Sequence, residues 1–143
     1  MRIALTRLVA VAAVAAIPVL GATSTAGAAS SVASIDTDCP HNGYITNGDT
    51  CTVLSNGVLY LHDVPNGSYV QLAYSKTGGS AISAKLGYER NSTNHYGSYK
   101  SMSSGNEYWQ TFSPSAVSCA VDIGLIYDSG SGSQFQTPPT KDC

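Results

Sequence analysis

The chain has 143 residues, 43% of them apolar and only 11% charged, with a formal net charge of −2. So few and so scattered cations exclude the basic patch that nucleic acid or anionic lipid requires. The length allows one domain with a modest core.

Residues 1–28 read as a secretory signal peptide. Arg2 and Arg7 supply a positive start, Leu8 to Leu20 is an almost unbroken apolar run, and Ala26-Gly27-Ala28 offers a small-x-small exit. The run is too short for the roughly 20 residues that span a bilayer, so no membrane anchor is expected after cleavage. Cleavage after Ala28 leaves 115 residues with five cations against nine acids, a formal charge of −4. Residues 29–38 form a small, polar, acidic arm, and 39–143 a single domain. The localisation that follows is secreted and extracellular.

All four cysteines, Cys39, Cys51, Cys119 and Cys143, lie beyond the signal. An even count in an exported chain reads as a disulfide framework. Of the three pairings, Cys39–Cys51 with Cys119–Cys143 closes two short local loops and is favoured. A loop of about 15 residues is worth about 3 kcal/mol in the chain-entropy model.

Beyond Cys39 the pattern is strands and turns. Asn56-Gly57 lies between Cys51–Ser55 and Val58–His62, which predicts a hairpin with a type I′ turn that pairs Leu54 with Leu59 and Thr52 with Leu61. Leu54, Leu59 and Leu61 then share one face, and Val53, Val58 and Tyr60 the other. Pro65-Asn66-Gly67 turns the chain into Tyr69–Ser75, whose Val70, Leu72 and Tyr74 share a face. After Thr77-Gly78-Gly79-Ser80, the segment 81–90 places Ile82, Ala84, Leu86 and Tyr88 together. Ser83, Lys85 and Glu89 lie opposite, on a wet face. Asn91–Gly97 is polar and turn-rich. Tyr99–Met102 and Asn106–Ser113 are weaker strands around Ser103-Ser104-Gly105. The strongest alternation is Val117, Cys119, Val121, Ile123, Leu125 and Tyr127. A Gly/Ser loop, 129–133, and an extended tail follow. Six or seven short strands predict an all-β fold, a small antiparallel β-sandwich with two disulfides, with a small β-barrel as the alternative.

Catalytic groupings are weak. No Gly-x-Ser-x-Gly elbow is present. His41, His62 and His95 could be set on paper beside Asp63 or Asp122, but nothing in the sequence brings them together, and His62 reads as a surface or rim residue. Glu89 and Glu107 are the only glutamates, too few for a confident sugar-cleaving pair on so small a domain. Asp36-Thr37-Asp38 lacks the glycine and distal glutamate of a calcium loop. The cysteine spacing has no C-x-x-C for zinc. The expectation is a protein that is not an enzyme, with no cofactor and no metal.

Nine tyrosines, one tryptophan and two phenylalanines make a lopsided aromatic set. Tyrosine and tryptophan join apolar area to a polar tip and are enriched where proteins touch partners. Between 88 and 109 they are densest. If the turns at 91–97 and 103–105 are hairpin ends, His95, Tyr96, Tyr99, Tyr108 and Trp109 gather at one end or edge of the sheet as the binding residues. Tyr74, Tyr88 and Tyr127 alternate with core residues and read as packing.

The Ala-rich leader, the Ser/Thr/Gly-rich mature part and the two short cysteine loops resemble the small secreted two-disulfide β-rich proteins of high-GC Gram-positive bacteria. That group includes enzyme inhibitors, surface-associated proteins and adaptor subunits of secreted toxin particles. The Trp-Arg-Tyr triplet of the small amylase inhibitors is absent; Tyr108-Trp109-Gln110 stands in no such pattern. The aromatic surface, or the acidic arm at 29–38 adding to a partner's sheet or cleft, points to a binding or adaptor protein that docks another secreted or cell-surface protein. The alternatives are an inhibitor of an extracellular hydrolase and a module that binds carbohydrate or cell wall.

Overall fold

The computed structural model describes residues 38–141. The expected signal peptide, all of the expected arm except Asp38, and Cys143 lie outside the described residues. The described residues contain no helix; their strands form two antiparallel sheets. The first has the order β1 (Asp49–Leu54), β2 (Gly57–Asp63), β3 (Val70–Lys76), β7 (Asn106–Phe112). The second has the order β5 (Thr93–Tyr96), β4 (Ile82–Arg90), β8 (Asp122–Asp128), β9 (Ser133–Gln136), and β6 (Lys100–Met102) also pairs with β4.

The inner faces share one core. Leu59, Leu61, Val70, Leu72 and Tyr74 come from the first sheet, and Ala84, Leu86, Tyr88, Met102 and Ile126 from the second. The alternation read from 70–74 and 82–88 is the alternation that builds this core. The arrangement is sandwich-like, and side chains rather than backbone ladders link the sheets along both sides. Thr50 Oγ1 donates to Thr137 Oγ1 at 3.1 Å and Thr52 Oγ1 to the Gln136 carbonyl at 2.9 Å. On the other side Lys100 Nζ donates to the Trp109 carbonyl.

Asn56-Gly57 does not sit where its type I′ signal predicts. The turn is Ser55-Asn56, and the register pairs Leu54 with Gly57, Thr52 with Leu59 and Thr50 with Leu61. The shift is two residues, so the facing of every side chain survives it. Neither Asn56 nor Gly57 has a positive φ. Gly57 serves close approach instead: a Cβ there would lie 2.2 Å from the Ser75 carbonyl oxygen and 2.8 Å from the Tyr74 ring. The positive φ pair of a type I′ turn occurs at Asn91 (51°) and Ser92 (59°), which join β4 to β5. That hairpin lies inside the segment read as turn-rich, so β5 is a strand the polar composition hid.

The alternation from Val117 to Tyr127 is also corrected. Only Asp122–Asp128 is strand. Val117 and Val121 are 42% and 54% exposed, and Cys119 has a φ of 60°. The residues of β8 that face the core are Asp122, Gly124 and Ile126, the opposite set to the one predicted, because they lie beside Arg90, Tyr88 and Leu86 of β4. Arg90 is the cause. It is buried, its Nε donates to Asp122 Oδ1 at 2.7 Å, its Nη2 donates to Asp122 Oδ2, and Asp63 Oδ2 lies 4.0 Å away. Such a bidentate pair must point into the space between the sheets, and it carries the phase of β8 with it.

Cys39 and Cys51 form the expected disulfide, with 12 residues of separation. No described cysteine is a free thiol. No helix among the described residues is long and apolar enough to cross a membrane.

Two outcomes follow for stability. Arg90→Met takes from the buried Asp122 carboxylate the guanidinium that pairs it and should cost about 3–5 kcal/mol in urea unfolding. Ser92→Gly relieves a left-handed non-glycine residue and should raise stability by about 0.5 kcal/mol, read as a higher urea midpoint at unchanged slope.

Candidate functional site

The outer face of the second sheet carries the most concentrated aromatic chemistry. On β4 the outward residues are Lys85, Gly87 and Glu89, the alternates of the core set. Gly87 pairs with Tyr96 of β5. A Cβ on Gly87 would lie 2.5 Å from Tyr96 Cδ1 and 2.4 Å from the His95 carbonyl oxygen, so only glycine lets the Tyr96 ring lie down on β4. Leu125, opposite Gly87 on β8, is fully buried beneath this outer layer.

A register slip brings a second tyrosine to the same face. Tyr96 pairs with Gly87 and Lys100 with Ala84, so three residues on the edge strand oppose two on β4. The extra residue is accommodated at 97–99, as in a β-bulge, and reverses the alternation. Tyr96 and Tyr99, three apart, would point to opposite faces of a regular strand; here both meet Lys85. The Lys85 Nζ lies 4.3 Å from the centroid of Tyr96, 5.1 Å from Tyr99 and 5.2 Å from Tyr127. Each ring offers its negative face to the ammonium, an attraction of about 0.5–1 kcal/mol at a partly exposed site. The Tyr96 hydroxyl donates to Gln134 Oε1 at 2.5 Å, and the Tyr96 and Tyr127 rings meet edge to face at 61°. Burial, then the neighbouring Tyr127, Glu89 and Tyr99, push the Tyr96 phenol above its ordinary pKa, so it stays a donor. Tyr99 is 52% exposed and forms the outermost part of the cluster.

The five aromatic positions singled out in the sequence do not form one patch. Tyr96 and Tyr99 share the face just described. Trp109, opposite Ala73 on β7, packs on the outer face of the first sheet with Cys51, Val58 and Tyr60. Tyr108 packs against the core, and its hydroxyl accepts from the Ser103 backbone N–H at 2.6 Å, which fixes the turn between β6 and β7. That turn crosses from one sheet to the other and is not a hairpin end. His95 stacks on Tyr88 at 4.7 Å on the inward side of β5. Lys85 and Tyr127 are the members that sequence reasoning missed. Lys85, on the wet face that the alternation predicts, is half-buried under rings; Tyr127, expected as core packing, faces outward. Gly87 was the available signal, since a glycine inside an apolar strand marks a close approach.

His62 pairs with neither Asp63 nor Asp122. His62 Nδ1 lies 2.5 Å from Asp49 Oδ1, and Thr46 Oγ1 donates to Asp49 Oδ2 at 2.6 Å. Asp63 and Asp122 instead surround Arg90. Among the described residues no group of three or more His, Cys, Asp or Glu is placed to hold a metal ion. Comparison of the chain with protein-family models, with curated proteins and with solved structures gives no match.

The two tyrosines should separate in mutational cost. Tyr96→Ala removes a ring that covers Gly87 and should cost about 2–3 kcal/mol of stability. Tyr99→Ala should cost under about 1 kcal/mol. Thermal or urea unfolding of both variants measures the difference.

Proposed function

We propose that this is a secreted, non-catalytic binding protein that docks another secreted or cell-surface protein on the Lys85–Tyr96–Tyr99–Tyr127 face. In this reading residues 1–28 are removed on export, and a second disulfide, Cys119–Cys143, joins Cys39–Cys51 in bracing the domain. The observation that carries the reading is the convergence of three tyrosines on one lysine at an outward sheet face, with Tyr99 half exposed. Rings held in place by Gly87, Lys85 and Gln134 lose little freedom when a partner covers them, which is the property that makes tyrosine an efficient contact residue. Gln134, Gln136 and Asn94 add exposed amides around the rings. The 61° angle between Tyr96 and Tyr127 favours a protein over a polysaccharide, because these two rings offer no common plane for successive sugars. An adaptor subunit of a larger secreted particle is one form such a protein takes.

One observation favours a second reading, inhibition of an extracellular hydrolase. The Cys39–Cys51 bridge closes a loop on which Ile45 is 48% exposed, and a braced loop with an apolar tip can fill a specificity pocket.

Affinity purification of the mature protein from its own culture supernatant tests both. The expected result is one co-purifying protein whose capture falls about tenfold or more with Tyr99→Ala, with no change in the thermal transition. Retention on polysaccharide without a protein partner overturns the docking reading. Capture of a hydrolase that loses activity in the complex, insensitive to Tyr99→Ala but abolished by Ile45→Asp, assigns the function to the braced loop instead.

A further inference from the structure

The two ends of the space between the sheets are built differently. At one end Arg90, Asp122 and Asp63 close the gap with a direct ion pair. At the other end the inward-facing charges are Lys76, last residue of β3, and Asp128, last residue of β8. These two are not in direct ion-pair contact. Lys76 is 1% exposed, and its Nζ donates to the Gly78 carbonyl at 2.6 Å. An ammonium carries three donors, and one carbonyl satisfies only one of them. Asp128 is turned toward its own loop: Oδ1 accepts from the Gly130 N–H and Oδ2 from the Ser131 hydroxyl, both at 2.9 Å. Those bonds, with Lys76 farther off, hold its carboxyl below the usual range, so it is charged at neutral pH. The Ser131 backbone also bonds the carboxylate, which with about four acceptor sites keeps room for one further donor.

Between them lies a cavity of about 160 Å³, lined by Lys76 and Asp128 and walled by Tyr74, Ile82, Ile126 and Phe135. That volume is close to the roughly 150 Å³ of a cavity that takes benzene. A mostly apolar hollow with a few convergent polar groups is the usual form of a small-ligand site. The lining supplies one positive group deep inside and one negative group nearer the mouth, with apolar wall beside both. A simple carboxylate would satisfy Lys76 but be repelled by Asp128, and a simple amine the reverse. A molecule with both charges and a compact apolar side chain matches all three surfaces.

We propose that this end cavity binds a free α-amino acid with an apolar side chain of about leucine size, its carboxylate on Lys76, its ammonium toward Asp128 and its side chain against Ile82, Ile126 and Phe135. The site is independent of the tyrosine face and of whatever docks there. No bond is made or broken; the step is reversible binding.

The test is a titration of the mature protein followed by amide NMR shifts and calorimetry, with L-leucine, 4-methylpentanoate and 3-methylbutylamine as probes. The expected result is saturable binding of leucine, with shifts at Ser55, Tyr74, Lys76 and Ser131. The acid, which lacks the ammonium, and the amine, which lacks the carboxylate, should each bind at least about tenfold more weakly. Lys76→Met and Asp128→Asn should each weaken leucine by about tenfold or more. Because Lys76→Met removes a buried group and can disturb folding, Ser55→Trp is the second variant. Ser55 is an exposed residue at the mouth, and an indole there should block leucine while leaving the unfolding transition in place. No saturable shift with leucine, equal binding of the acid or the amine, or full binding by a folded Ser55→Trp protein overturns the proposal.

Discussion

The buried Arg90–Asp122 pair decides more of this molecule than any other contact. Two hydrogen bonds from one guanidinium to one carboxylate have a single good geometry, and neither group can be left dry without the other. Asp122 must therefore face inward. Because a strand alternates strictly, Gly124, Ile126 and Asp128 then face inward too, and Leu125 and Tyr127 outward. Gly124 accepts that position because Leu61, Leu72 and Thr137 press against it; a Cβ there would lie 2.9 Å from Leu72 and 3.0 Å from Leu61. Tyr127, sent outward, meets Lys85 and Tyr96. The aromatic face owes Tyr127, and the end cavity owes Ile126 and Asp128, to one ion pair at the opposite end of the strand.

Much of the scaffold was legible in the residues. Val70, Leu72 and Tyr74, and Ile82 through Tyr88, alternate cleanly because each strand has one face in a common core and little else acts on it. The Cys39–Cys51 bridge was legible from loop length. The failures share a cause: where a long-range contact competed with a local signal, the contact prevailed. Asn56-Gly57 is the strongest local hairpin signal in the chain, yet its glycine is used to admit Tyr74 and Ser75. Asn91-Ser92, a poorer signal, takes the type I′ conformation because β5 folds back along β4. The apolar alternation from Val117 gave way to a charged residue that needed a partner in another strand.

The site was half legible. Tyr96 and Tyr99 were singled out for their composition, which is a property of the segment. Their shared direction depends on one residue inserted at 97–99, and a single extra residue in an edge strand leaves no mark that alternation can detect. Trp109 and Tyr108 belong to a strand that crosses to the other sheet, so nearness in sequence to Tyr99 did not become nearness in space.

Every cation among the described residues has at least one partner within the domain. Arg90 sits in its ion pair, Lys76 holds the Gly78 carbonyl, Lys85 is ringed by tyrosines, Lys100 holds the Trp109 carbonyl, and Lys141 lies 3.7 Å over the Tyr44 ring. Carbonyl and ring partners leave these charges in place, and with seven carboxylates against five cations the described residues keep a formal net charge of −2. At low ionic strength, where the Debye length is long, such a molecule drifts away from polyanionic matrices and is steered toward basic surfaces before any ring makes contact.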